Sequence, residues 1–253
     1  MKNWHETLIR CSSLGSIMTE PKDKASKAAG ELSKTAKTHL KSIYISEKYG
    51  RDKELKSKPI TKGIEVEEES ITLLARVMKR MLYKNEQRLN NDFITGLPDI
   101  YDGETIYSSN YIIDIKSSYD LHSFIANVGE PLDRDYYYQL QGYMALSGAP
   151  KAYIAYCLVD TPFHIIESEK YKLLKSMDVI SEDSPEFIAE ASKIEKNMTF
   201  GDIPKEERVL LFQVERNDEI VGSIYSMVVK AREYLQDLEA QHLTFNNKTL
   251  SEI

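Results

Sequence analysis

The chain has 253 residues, 42% of them hydrophobic and 29% charged, with a formal net charge of −7. No run of about 18 apolar residues occurs, and the opening "MKNWHETLIRCSS" carries no signal-peptide core, so neither a membrane span nor a secretory leader is expected. Two cysteines, Cys11 and Cys157, suit a reduced cytoplasm and exclude a CxxC site or a four-cysteine iron–sulfur cluster.

In chain order, Ser12 to Thr19 reads as a short helix and Lys22 to Gly30 as a loose Lys/Ala-rich stretch. Glu31 to Tyr49 is a helix on the spacing of Leu32, Ala36, Leu40, Ile43 and Tyr44, with Gly50 to close it. Arg51 to Pro59 is a charged connector. Although the overall charge argues against a general nucleic-acid coat, Lys22 to Lys62 holds twelve Lys plus Arg against five acids. That segment is +7 and the remainder −14. It reads either as a solvated helix face with a loop or as a surface facing phosphates. Gly63 precedes a strong helix to about Tyr83. From Asn91 to Ser117 the period changes, and Gly96, Pro98 and "YDGE" punctuate three strands with tight turns. Tyr136 to Ser147 is a helix closed by Gly148. "KAYIAYCLV" and "RVLLFQVER" are strands, Ile220 to about Ala240 is a terminal helix, and "LTFNNKTLSEI" is frayed. This order predicts an α/β (mixed α+β) fold with a central mixed sheet flanked by helices.

Four signals carry chemistry. In "NYIIDIKSSYD", Asp114 and Lys116 share one face of a strand, among apolar residues that want burial. Buried charges must be paired or hold a metal. On the helix after Gly63, Glu67 falls on the apolar stripe of Ile64, Ile71, Leu74 and Met78, either as a functional acid or as a stripe-edge residue paired with a lysine. Asp99 follows Pro98 at the mouth of a hairpin, where an aspartate also serves as a simple turn residue. In "YYYQLQGYMALSG", Gln139 and Tyr143 share a helix face and Gln141 points away. The crowded tyrosines before them read as packing.

Taken together and in this order, the four signals resemble the PD-(D/E)XK nuclease superfamily, and within it the lambda-exonuclease and YqaJ-type viral recombination exonucleases. "GIEVE" is similar to the family's Gly-x-x-x-Glu, "LPDI" to its Pro-Asp, and "IIDIKSS" to its acid-x-Lys, with Asp114 where lambda exonuclease has Glu. "WHETLIRCSSLGSIM" resembles the segment that holds the 5′-phosphate, with Arg10 and Ser13 as contacts. The resemblance implies a restriction-endonuclease-like core in a single domain over 1–253: a helical basic part (1–62), the catalytic core (63–160), and C-terminal helices with a strand (161–253). It implies Glu67, Asp99, Asp114 and the Ile115 carbonyl as ligands of Mg²⁺, or of Mn²⁺ in its place. These are hard oxygen donors that suit such an ion. Lys116 then holds the attacking water or stabilises the phosphorane charge, Gln139 orients water or a ligand, and Tyr143 packs behind it.

The implied activity is 5′-to-3′ digestion of double-stranded DNA ends. It leaves 3′ overhangs, with a homotrimeric ring and a single-strand annealing protein as partners and no membrane. The resemblance also implies a phage or prophage source and, with such a source, the cytoplasm of a bacterial host as the setting. The alternatives are a RecB-like nuclease or an endonuclease of the same fold, or a catalytically inactive DNA-binding subunit.

Overall fold

The computed structural model describes residues 2–53, 57–177 and 181–251, with side chains to residue 245 in the last helix. A 3-10 turn at Trp4–Glu6 leads into β1 (Ile9–Arg10), a second 3-10 turn at Cys11–Ser13 and α1 (Leu14–Ile17). The helix expected over Ser12 to Thr19 is therefore split between two turn types. α2 (Lys24–Ala28) lies inside the stretch expected to be loose, because Asp23 caps it by accepting from Ser26 N at 2.7 Å. α3 (Lys34–Tyr49) begins where Ser33 accepts from Ala36 N and ends at Gly50, whose φ of 60° needs no side chain in the way.

α4 (Lys58–Glu65) and α5 (Glu67–Met78) replace the single helix expected from Gly63. Ser57 caps α4, and Pro59 sits in its first turn, where a fixed φ and a missing N–H do no harm. Pro59 thus starts a helix rather than ending the connector, of which residues 54–56 lie outside the described residues. Lys79, at φ 54°, stops α5 four residues before Tyr83. The predicted stripe does not survive this break. Ile64 belongs to α4 and is 72% exposed, whereas α5 buries Ile71, Leu73 and Leu74.

β2 (Leu89–Asn90) and β3 (Ile94–Gly96) form a small sheet with β1, in the order β1-β3-β2. β3 leaves the expected meander because β1 pairs with it in parallel, Ile9 opposite Ile94 and Arg10 opposite Thr95. The central sheet contains β4 (Ile100–Asp102), β5 (Tyr111–Ser117), β6 (Lys151–Cys157) and β7 (Val209–Glu215), in that order. β4 and β5 are antiparallel, β5 and β6 parallel, and β6 and β7 antiparallel. α6 (Leu121–Ile125) and α7 (Arg134–Ser147) lie between β5 and β6. α8 (Phe163–Met177) and α9 (Pro185–Met198) precede β7, and α10 (Asp218–Ser251) closes the chain. α10 continues past Ala240 to Ser251, into the segment expected to fray, whose last two residues lie outside the described residues.

Both faces of β5 are covered. Tyr111, Ile113 and Ile115 pack with Ile71 and Leu74 of α5 in one apolar cluster. Ile112, on the other face, packs with Leu140, Tyr143 and Met144 of α7. The strand alternation therefore turns Asp114 and Lys116 toward α7. Two glycines let α7 come close. A Cβ on Gly96 would lie 2.6 Å from the Tyr143 ring, and one on Gly142 would lie 2.6 Å from Leu14 Cδ1 and 2.8 Å from Cys11 Sγ. Trp4 anchors the N-terminus by donating to Glu239 Oε2 of α10 at 2.7 Å and stacking on Tyr44 at 5.2 Å. No helix among the described residues is long and apolar enough to cross a membrane.

Candidate active site

Asp114 is buried at 3% exposure in the middle of β5. Its Oδ1 accepts from Gln139 Nε2 at 2.8 Å. Its Oδ2 has the Lys116 ammonium at 2.7 Å, but no well-directed hydrogen bond. Gln139 also donates to the Tyr143 hydroxyl at 2.9 Å, and Lys116 Nζ donates to Gln139 Oε1 at 3.4 Å. Both N–H bonds of the Gln139 amide are thus used within the protein, so its geometry orients Asp114 and Lys116. Burial acts to lower the Lys116 pKa, but the Asp114 carboxylate outweighs it and holds the amine protonated, above its ordinary value.

Asp99 arrives from the chain just ahead of β4. Pairing of β4 with β5 begins at Ile100 opposite Ile113, so beyond that point β5 has no strand partner on this side. Asp99 Oδ2 takes the free Ile115 N–H at 2.6 Å. The N–H and C=O of a strand residue point to the same side, so the Ile115 carbonyl faces the same gap. Asn85, which the sequence reading missed, braces the turn: its N–H donates to Asp99 O at 2.6 Å and its side chain to Pro98 O at 2.8 Å. Tyr143 donates to Leu97 O at 3.3 Å. Burial first, then the charge of Asp114 and to a lesser extent that of Glu67, push the Asp99 pKa up to about 8, against the help of the Ile115 N–H. Asp99 and Asp114 therefore lie close enough to repel one another, with Glu67 a weaker influence.

Glu67 is the first residue of α5. It lines the same cleft as Ile115 and Lys116, an open volume of about 680 Å³. It is half-buried rather than aimed into the core, and it pairs with Lys84 at 2.8 Å. Among the described residues no three His, Cys, Asp or Glu side chains close on one point as a ready-made metal cage. Glu67 and Asp114 each face a lysine instead.

Arg10 and Ser13 do not meet. Arg10 is exposed and lines a pocket of about 740 Å³ with Lys2, Arg88, Thr95 and two acids, Glu6 and Glu47, the latter paired with Lys2, whereas half-buried Ser13 is not among its lining residues. Arg88 was not anticipated. Its charge and that of Asp114 both reach the Cys11 thiol, which burial pushes up in pKa, so this pocket and the carboxylates flank the same residue. Gln141 points away from Asp114, as expected, yet it is fully buried. It bonds Glu215 O at 2.8 Å and Asn217 N at 2.9 Å, which fixes the end of β7.

No protein-family model and no curated protein matches the chain. Among solved structures, the crystal structure of a phage-related exonuclease from Haemophilus somnus 129PT superposes with a TM-score of 0.73 at 30% identity, covering 95% of this chain and 98% of that one. The chain belongs to the phage-related exonuclease family. This is the family of the lambda- and YqaJ-type enzymes that the motifs resemble, and the protein is a nuclease. The alkaline exonuclease LHK-Exo from Laribacter hongkongensis shares the fold over 100% of both chains, with a TM-score of 0.58 at 14% identity. A second structure of LHK-Exo, in complex with dAMP, covers 97% of this chain and 95% of that one, with a TM-score of 0.57 at 15% identity. In this exonuclease, Asp114, Lys116, Gln139 and Tyr143 form one bonded group on β5, Asp99 is tied to the neighbouring Ile115 N–H, Glu67 stands across the cleft, and Arg10 lies in a separate pocket.

Proposed function

We propose that this exonuclease hydrolyses the 5′-ended strand of double-stranded DNA from its ends, with Mg²⁺ or Mn²⁺, and leaves 3′ overhangs for phage-type recombination. The observation that carries the reading is the convergence of Asp99, Asp114 and the Ile115 backbone with Lys116 and Gln139 at one end of β5. The donors fit such an ion. They are all oxygen, Asp114 Oδ2 is buried beside only an ammonium, and Asp99 sits in excess negative charge. Mg²⁺ takes few protein ligands and keeps several waters, so it needs no closed cage. When bound, it makes an attacking water more acidic and offsets phosphate charge.

Asp99, Asp114, Glu67 and the Ile115 carbonyl are the proposed ligands. Lys116, held as an ammonium, contributes positive charge where the phosphate gains negative charge, rather than acting as a base. Gln139 keeps Asp114 and Lys116 in register, and Tyr143 holds Gln139 to the Leu97 turn. Arg10, with Arg88 in the same pocket, is assigned to the terminal 5′-phosphate, and Ser13 lies outside that pocket. A homotrimeric ring around the duplex and a single-strand annealing protein complete the proposal.

The test is digestion of linear duplexes with 5′-phosphate or 5′-hydroxyl ends, beside closed circles, with and without Mg²⁺, using wild type and Lys116→Ala. Metal-dependent loss of the 5′-ended strand from linear DNA alone, abolished in the variant, is expected. Cutting of circles would move the enzyme to an endonuclease, and no cleavage of any substrate would leave a DNA-binding subunit.

A further inference from the structure

We infer that Tyr136 is the positioning residue that holds the Lys116 ammonium when a divalent cation engages Asp114. The inference rests on the metal-dependent reading above. In this structure the ammonium lies 2.7 Å from Asp114 Oδ2, the carboxylate oxygen that accepts no other bond. A divalent cation held at that oxygen would repel the ammonium and weaken its hold on the carboxylate. The side chain of Lys116 is only 24% exposed, so the repelled charge needs another partner nearby. Gln139 Oε1, at 3.4 Å, offers a long contact. The Tyr136 ring offers the other, with its centroid 4.6 Å from Lys116 Nζ, inside the range of a cation–π contact.

The ring is built to stay there. Tyr136 stands one turn before Gln139 on α7, on the same helix face. Tyr156 meets it edge-on, with centroids 6.1 Å apart and planes at 65°. Tyr156 is also the β6 residue paired directly with Lys116. Phe212 of β7 braces Tyr156 in turn, at 5.6 Å and 82°. The three rings form a chain from the cleft into the sheet, so the crowded tyrosines of α7 do more than fill space. Tyr136, Tyr156 and Lys116 line one cleft.

The test is calorimetric titration of Mn²⁺ into the full chain without DNA, for wild type, Tyr136→Phe, Tyr136→Leu, Lys116→Met and the Lys116→Met/Tyr136→Leu double variant. Tyr136→Leu is expected to weaken Mn²⁺ binding by about twofold up to about fivefold, the upper bound being a whole cation–π contact that is already partly made without metal. Tyr136→Phe keeps the ring and restores the affinity. With Lys116 replaced by Met there is no ammonium to seat, so Tyr136→Leu then has no further effect. In DNA digestion, Tyr136→Leu lowers kcat with KM unchanged, and Tyr136→Phe recovers it. Equal Mn²⁺ affinity in the Leu variant and wild type would overturn the inference while leaving the metal-dependent reading intact. An equal loss in the Lys116→Met background would also overturn it, by reducing Tyr136 to packing. Absence of Mn²⁺ binding to wild type would overturn both.

Discussion

Lys62 is the most decisive place to test the electrostatics of this fold. It has no exposed surface, and its ammonium has one hydrogen bond, to Tyr119 O at 2.9 Å, with the Phe200 ring 5.1 Å away. Desolvation drives its pKa down to about 8, against the attraction of Asp160 and Asp120. An unfolded chain restores the value to about 10.4. Between those two values the unfolded state binds more protons, so stability rises with pH across the window. Below about pH 8 the charged amine must be buried, at a cost of about 3 kcal/mol at about 1.4 kcal/mol per pH unit. Most of that cost is gone by about pH 10. Lys62→Met removes the titration but keeps an unbranched side chain of similar length. The lost bond to Tyr119 O affects both ends of the pH range alike, because a neutral amine also donates. The stability of wild type relative to Lys62→Met is therefore expected to rise by about 2 to 3 kcal/mol from pH 7 to pH 10. Urea unfolding of both proteins at several pH values measures this directly. A difference that stays flat over that range would mean that Lys62 is not buried as a charge, and the reasoning would fail.

Four further outcomes follow from the contacts around the site. Lys116→Ala should cut turnover by about 100-fold or more in single-turnover digestion. Without divalent ions it should also melt lower than wild type, because Asp114 is left as an uncompensated buried charge. Gly96→Ala pushes a methyl into the Tyr143 ring and should cost about 1 to 3 kcal/mol in urea unfolding. Gln141→Leu strands Glu215 O and Asn217 N, and should lower stability by about 2 kcal/mol or more. Asn85→Ala releases the Asp99 turn and should lower kcat about tenfold at constant KM, the loss expected of a misplaced ligand.

Local periodicity exposed the centre of the site. Asp114 and Lys116 were legible because two opposite charges, two residues apart on an apolar strand, have to pair or hold a metal once buried. Gln139 and Tyr143 were legible because a four-residue spacing puts both on one helix face. The break between α4 and α5 was not legible. Val66 is neither Gly nor Pro, and Glu65 to Glu69 reads as unbroken helix former, so Glu67 was assigned to a stripe that does not exist. Asn85, Lys84 and Arg88 escaped because their roles depend on chain that returns from elsewhere. Gly142 did carry a signal. A glycine inside a helix lowers stability unless something must come close, and here Leu14 and Cys11 do.

The charge run from Lys22 to Lys62, which reads either as a solvated face or as a phosphate-facing surface, is less basic in the fold than in the sequence. Composition counts every cation as available, but folding gives many of them partners. Lys27 pairs with Glu20, Lys37 with Glu31, Lys48 with Glu239 and Lys58 with Glu169, while Lys62 is buried. Five of the twelve cations are thus engaged among the described residues, and three of their partners, Glu20, Glu169 and Glu239, come from the acidic remainder. The basic segment and the acidic remainder therefore partly neutralise one another across the fold. Further positive charge gathers from residues that sequence position does not group, such as Arg10 and Arg88. These are 78 positions apart in the chain, yet they line one pocket because β1 and β2 flank the same strand, β3. Topology, as well as local composition, decides where positive charge gathers on this exonuclease.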